Sequence, residues 1–147
     1  MRVLGLDLGD RRIGIAISDE TGTVAQGRGV YPRREGKEDL SHLAELCRQE
    51  GVERIVVGLP LNMDGTEGDQ ARKARAFAQA LAVETGLPVE LLDERLTTVE
   101  ADRVLRKAGL RERKRRGVRD ELAAVLILQA WLDRRRGERA EAARSPG

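Results

Sequence analysis

The sequence predicts an α/β fold with a five-stranded mixed sheet, an antiparallel meander of three strands extended by two parallel strands, flanked by helices. Three observations carry this. Residues 2–31 alternate short apolar runs with turn signals, the pattern of strands joined by tight turns. From residue 38 the apolar spacing becomes helical, and helical stretches then alternate with short apolar runs. At 147 residues the chain is one domain, long enough to bury a core without covalent staples.

Arg2–Asp7 reads as the first strand, Gly9–Arg12 as a turn and Ile13–Ser18 as the second strand. Asp19–Gly22 is a second turn and Val24–Tyr31 the third strand. Tight turns join antiparallel neighbours, so these three form a meander. Glu38–Glu50 carries Leu40, Leu43 and Leu46 at helical spacing and stops at Gly51. Arg54–Gly58, with Ile55, Val56 and Val57, is a short strand buried on both faces. The loop through Gly68 holds Pro60 and the Asp64-Gly65 turn signal; it is long for its place, and its glycines let backbone approach a ligand. Asp69–Thr85 is an Ala-rich amphipathic helix closed by Gly86 and Pro88, and Val89–Asp93 is the fifth strand. Thr97 and Glu100 form a capping box that opens a helix to Ala108, ended by Gly109. Residues 110–118 read as a mobile basic loop and Arg119–Arg135 as the last helix. The domain is expected to span 1–136, with 137–147 a frayed tail.

Composition removes several chemistries. The chain has one cysteine and one histidine, Cys47 and His42, so it has no internal disulfide, no Cys-based zinc site and no two-His metal site. Both sit on one predicted helix beside its leucines and read as helix residues rather than a nucleophile pair. No apolar run is long enough to span a membrane. Asp7 and Asp10 interrupt any signal-peptide core, so the expected location is cytoplasmic, with no membrane partner. The sequence holds no Walker A or dinucleotide-binding glycine pattern, so no organic cofactor is expected. Of the three aromatics, Phe77 and Trp131 lie at core spacing and Tyr31 ends a strand, leaving no platform for base stacking.

Acids remain. Ligands of open α/β sheets bind beyond the carboxyl ends of the strands. Asp7 ends the first strand, Asp93 and Glu94 end the fifth, and Asp120 opens the last helix. Each has an ordinary alternative: a hairpin residue, surface charges beside Arg95, a helix cap. Together they form a carboxylate cluster, which is favourable only around a cation, and hard oxygen ligands suit Mg²⁺ or Mn²⁺. Just before Asp120, residues 106–119 hold eight Lys or Arg against one acid, Glu112, in a chain whose net charge is +2. Such a stretch suits a phosphate backbone, recognised by shape rather than sequence.

The run Gly5-Leu6-Asp7-Leu8-Gly9-Asp10-Arg11-Arg12-Ile13-Gly14-Ile15-Ala16-Ile17-Ser18-Asp19 resembles the first motif of the YqgF/RuvX family. Val57-Gly58-Leu59-Pro60 with Asp64-Gly65 resembles its second, Asp93-Glu94-Arg95-Leu96-Thr97-Thr98 its third, and Asp120 with Ala123-Ala124 and Ile127-Leu128 its fourth. That family is similar to Holliday-junction resolvases of the RuvC type and is commonly described as a pre-16S rRNA nuclease. The resemblance implies a ribonuclease H-like fold and a metal-dependent phosphodiesterase acting on structured nucleic acid. Its expected task is processing the 5′ end of pre-16S rRNA in ribosome biogenesis, with Mg²⁺ or Mn²⁺ held by an acidic triad of Asp7, Glu94 and Asp120. Periodicity does not choose between Asp93 and Glu94; the family pattern selects Glu94. Resolvases of this type carry a fourth carboxylate further along the last helix. Here Glu121 is adjacent to Asp120 and position 124 is Ala, so a poorer metal site is expected. Arg11, Arg12, Arg113, Lys114, Arg115, Arg116 and Arg119 are the expected nucleic-acid contacts, with structured RNA ahead of a DNA junction. Two alternatives stand beside this reading: a Holliday-junction resolvase of DNA recombination and repair, and a non-catalytic ribosome-assembly factor. The protein acts as a monomer or a homodimer in any of them.

Overall fold

The first thirty-two residues build the middle and one edge of the sheet. In the computed structural model, which describes residues 1–34, 36–95 and 112–144, β1 (Arg2–Leu8), β2 (Arg12–Ser18) and β3 (Ala25–Pro32) form the antiparallel meander. Gly9 N–H donates to the Arg12 carbonyl at 2.9 Å to close the first turn. Asp19 closes the second, its Oδ1 accepting from Thr23 N at 2.8 Å and Val24 N at 3.0 Å. β4 (Val52–Leu59) and β5 (Val89–Asp93) add parallel to β1, giving the order β3-β2-β1-β4-β5.

Alternation along the strands sends side chains to two faces. On one face Leu4, Leu6, Ile13, Ile15, Ile17, Ile55 and Val57 pack under α1 (Gly36–Glu50) and α2 (Asp69–Thr85). Those helices contribute Leu43, Cys47, Phe77 and Leu81. Gly86 ends α2 with φ +70°, a left-handed conformation that costs glycine little, and its N–H satisfies the Ala82 carbonyl. On the other face Val3, Ala16 and Val56 meet α3 (Glu112–Arg144) through Ala124, Ile127, Leu128, Trp131 and Leu132. Trp131 is 7% exposed, in the core as its spacing predicts.

Two expectations need correction at α3. Residues 112–118 are not a loop: the last helix begins at Glu112, so Asp120 lies inside it rather than at its start. Arg, Lys and Glu are strong helix formers, and a lone Gly117 costs a helix only about 1 kcal/mol. Like charge keeps a segment out of a core, but does not prevent it from extending a helix that is anchored further on. The helix also runs through Arg144, beyond the expected end at Arg135, and residues 137–143 are exposed. The helix expected over Thr97–Ala108, and the basic residues Arg106, Lys107 and Arg111, lie outside the described residues.

Candidate active site

Three elements bring their acids to the carboxyl-end edge of the sheet. Asp7 is the penultimate residue of β1, Glu94 follows β5, and Asp120 is on α3. Register decides which acid of the Asp93-Glu94 pair joins Asp7. Gly5 pairs with Val56 and Val56 with Glu90, so Gly5, Asp7, Glu90, Leu92 and Glu94 alternate onto the face covered by α3. Asp93 pairs with Leu59 on the other face, is exposed, and is forked by Arg95 through Nε and Nη2. Arg95 Nη1 also donates to the Met63 carbonyl at 3.3 Å, which ties the Pro60–Gly68 loop to the end of β5.

Two glycines make room for the cluster. Gly14 sits opposite Asp7 in the β1–β2 register, and a Cβ there would run into the Asp120 backbone carbonyl. Helix α3 therefore lies flush on β2 at the height of Asp7. A Cβ on Gly58 would strike the Glu94 carboxylate and come within 2.6 Å of Ile127 Cδ1. Neither role was legible in the sequence, where both glycines belong to strand runs; the signal is a glycine inside a strand, which marks close approach. A third brace is Arg33: its Nη1 donates to the Gly9 carbonyl at 3.0 Å while its Nε pairs with buried Asp39 at 3.0 Å, fixing the turn that follows Asp7.

The electrostatics follow from burial. Asp7 and Glu94 share a hydrogen bond, and burial pushes Asp7 up to about 6 and Glu94 up to about 8. Asp120 adds repulsion on Asp7, while Arg119 works the other way. Between those two pKa values the pair holds one proton. Asp120 is paired instead with Arg12, Nε to Oδ2 at 3.0 Å. Glu121 faces away from the cluster, accepting from Gly29 N–H and packing over Gly27 on β3. It is thus bound to the sheet and no substitute for a fourth acid.

A divalent cation fits the donor set. A buried pair of carboxylates that must hold a proton to coexist offers the oxygens and charge that a hard cation replaces that proton to obtain. As the side chains stand, no three His, Cys, Asp or Glu among the described residues converge on one point. Cys47, buried and with its thiol pushed up to about 11, offers no nucleophile.

Arg12 stands at the acids, on Asp120, and Arg119 acts on Asp7. Arg119 is exposed on α3. Arg11 lines a groove of roughly 430 Å³ with Arg34 and Lys73, neither of which the sequence singled out. Arg113, Lys114, Arg115 and Arg116 lie in the first turns of α3. Among the described residues no helix is long and apolar enough to cross a membrane.

Known proteins share this arrangement of elements. The chain is 19% identical to Thermus thermophilus RuvC, solved with a Holliday-junction substrate, with a TM-score of 0.57 over 93% of this chain and 97% of that one. Fowlpox virus resolvase gives a TM-score of 0.57 at 10% identity, over 90% and 97%. The fold is ribonuclease H-like, as the resemblance implied. Curated relatives named "Putative pre-16S rRNA nuclease" include one from Moorella thermoacetica, 54% identical over 91% of this chain and 96% of the relative. Another from Pelotomaculum thermopropionicum is 51% identical over 100% and 97%. The profile of the RuvX family, described as Holliday junction resolvase, matches residues 1–134. That span holds Asp7, Glu94, Asp120 and both glycines that seat them, and this chain belongs to the RuvX family.

Proposed function

We propose that this protein is a metal-dependent nuclease of the cytoplasm that acts on structured RNA, processing the 5′ end of pre-16S rRNA, with its catalytic domain in residues 1–136. The observation that carries the reading is the buried Asp7–Glu94 pair with Asp120 beside it, at a sheet edge lined by Arg11, Arg12 and Arg119. The relatives' names supply the substrate class. Asp7 and Glu94 would hold Mg²⁺ or Mn²⁺ once they give up their shared proton, and Asp120 would complete the set. The bound cation supplies Lewis-acid stabilisation of the phosphodiester undergoing cleavage. Arg12 and Arg119 hold phosphate oxygens near the acids, and Arg11, Arg34 and Lys73 continue the track beyond the β1–β2 turn. Arg113, Lys114, Arg115 and Arg116 extend it along α3. Phe77 and Trp131 are buried and Tyr31 stacks on His42 at 4.2 Å, which supports binding by backbone and shape.

The test is cleavage of labelled RNA hairpins carrying a precursor-like 5′ extension, DNA duplexes and four-way junctions, each with Mg²⁺ or Mn²⁺. Cleavage of structured RNA by the wild type and none by Asp7→Asn is the expected result. Equal cleavage by both proteins would remove Asp7 from the chemistry. Preferential cutting of the junction would move the substrate from RNA to DNA, and cleavage of nothing would favour an assembly factor.

A further inference from the structure

Asp120 already has a partner. Arg12 reaches it across 108 residues of sequence, Nε to Oδ2 at 3.0 Å. The Asp120 side chain is 19% exposed and that of Arg12 38% exposed. Asp7 and Glu94 are occupied too, with each other. Asp120 is close enough to Asp7 to repel it, yet its own carboxylate is held by an arginine. A cation cannot deprotonate that arginine, because a guanidinium keeps its charge at any working pH.

Something else has to draw Arg12 away, and the chemistry of its side chain says what. Guanidinium groups bind phosphate oxygens bidentately. Arg12 opens β2, beside exposed Arg11, at the strand-end edge where a backbone would pass. We propose that Arg12 is an exchange residue: it holds Asp120 in the free protein and transfers to a backbone phosphate when nucleic acid binds, releasing Asp120 to complete the cation site. A partly buried carboxylate left without its arginine is costly until a cation arrives. Nucleic acid and divalent cation therefore bind with positive coupling, equal in both directions. This rests on the nuclease reading and adds to it the order in which the site assembles. Arg12 thus binds the backbone and, by leaving Asp120, frees that acid for the cation.

A double-mutant cycle in EDTA tests it, with binding of a labelled RNA hairpin measured for wild type, Asp120→Asn, Arg12→Gln and the double variant. Asp120→Asn releases the guanidinium and is expected to tighten RNA binding about fivefold or more when Arg12 is present, but less than about twofold in the Arg12→Gln background. Removal of a negative charge alone would give equal gains in both backgrounds. That result overturns the exchange and leaves the nuclease reading intact. A calorimetric titration of the RNA-free proteins with Mn²⁺ is the second measurement. Folded Arg12→Gln is expected to bind Mn²⁺ about fivefold or more tightly than wild type, whereas Arg12→Lys, which keeps the charge, stays near wild type. Unchanged or weaker Mn²⁺ binding by Arg12→Gln overturns the proposal, and no RNA binding by any of the four proteins overturns both readings.

Discussion

The two faces of one sheet are built on opposite rules. Under α1 and α2 the strands present Leu4, Leu6, Ile13, Ile15, Ile17, Ile55 and Val57, branched side chains that fill space. Under α3 the same strands present Val3 and Val56 but also Gly5, Gly14, Ala16 and Gly58, with acids at the strand ends. A Cβ on Gly5 would lie 2.6 Å from Leu128 Cβ, so α3 approaches the backbone itself. Volume holds the first face together. Small residues shape the second near the strand ends: Leu128 fills the space over Gly5, the Asp120 backbone that over Gly14, and the Glu94 carboxylate with Ile127 that over Gly58. The large-residue face rests on filled volume, whereas the small residues of the second face let α3 and its acid come down onto the strands.

The largest effect is expected at Asp7. Asp7→Asn is expected to lower cleavage by about a thousandfold or more, the scale of losing one essential member of a catalytic set. The metal-free protein should be no less stable, because one buried negative charge is gone. Glu94→Gln should follow it and Asp93→Asn should not; rates at saturating Mn²⁺ decide between them. On the other face, Leu6→Ala should cost about 2–5 kcal/mol in denaturant unfolding and leave cleavage per folded molecule near wild type. Gly14→Ala should cross the divide, losing about 1–3 kcal/mol as α3 lifts away from the Asp120 carbonyl, and losing activity with it. If Gly14→Ala unfolded at the wild-type denaturant midpoint, the flush docking of α3 would not be what seats Asp120.

The smallest effect is one of pH. Folded Asp7 and Glu94 bind protons more tightly than the unfolded chain does, at about 6 and about 8. Their contribution is fully present below the unfolded carboxylate range and is lost as pH rises through the folded values. Thermal midpoints of the EDTA-treated protein should therefore fall between pH 4 and about 8, and Mn²⁺ should restore them most at the upper end. Glu94→Gln should flatten the slope.

Much of this was legible in the chain. The bounds of Asp69–Thr85 and Val89–Asp93 follow from punctuation by Gly68, Gly86, Pro88 and a change of period, and the structure matches them residue for residue. Strand ends and the start of the last helix single out Asp7, the Asp93-Glu94 pair and Asp120 in the sequence, and only family resemblance prefers Glu94 over Asp93. The missing quantity was register: alternation within β5 fixes which residues share a face, but only its pairing with β4 and β1 says which face is Asp7's. By charge density the basic stretch before Asp120 reads as a loop, but helix propensity and the anchored turns beyond it govern its conformation. The Arg12–Asp120 pair had no sequence signal, since it joins residues that no local pattern relates.

That pair also sets a schedule. Arg12 and Asp120 are 108 residues apart, and α3 docks on β1 and β2, the first strands to be made. At about 5–20 residues per second, synthesis leaves a β1–β2 hairpin waiting roughly 5–20 s for the helix that covers it. During that interval the glycine-lined face is bare, and Asp7 stands without Asp120. A chain still being translated beside ribosomal RNA thus carries only part of the acid set, and the complete set forms once translation has passed α3.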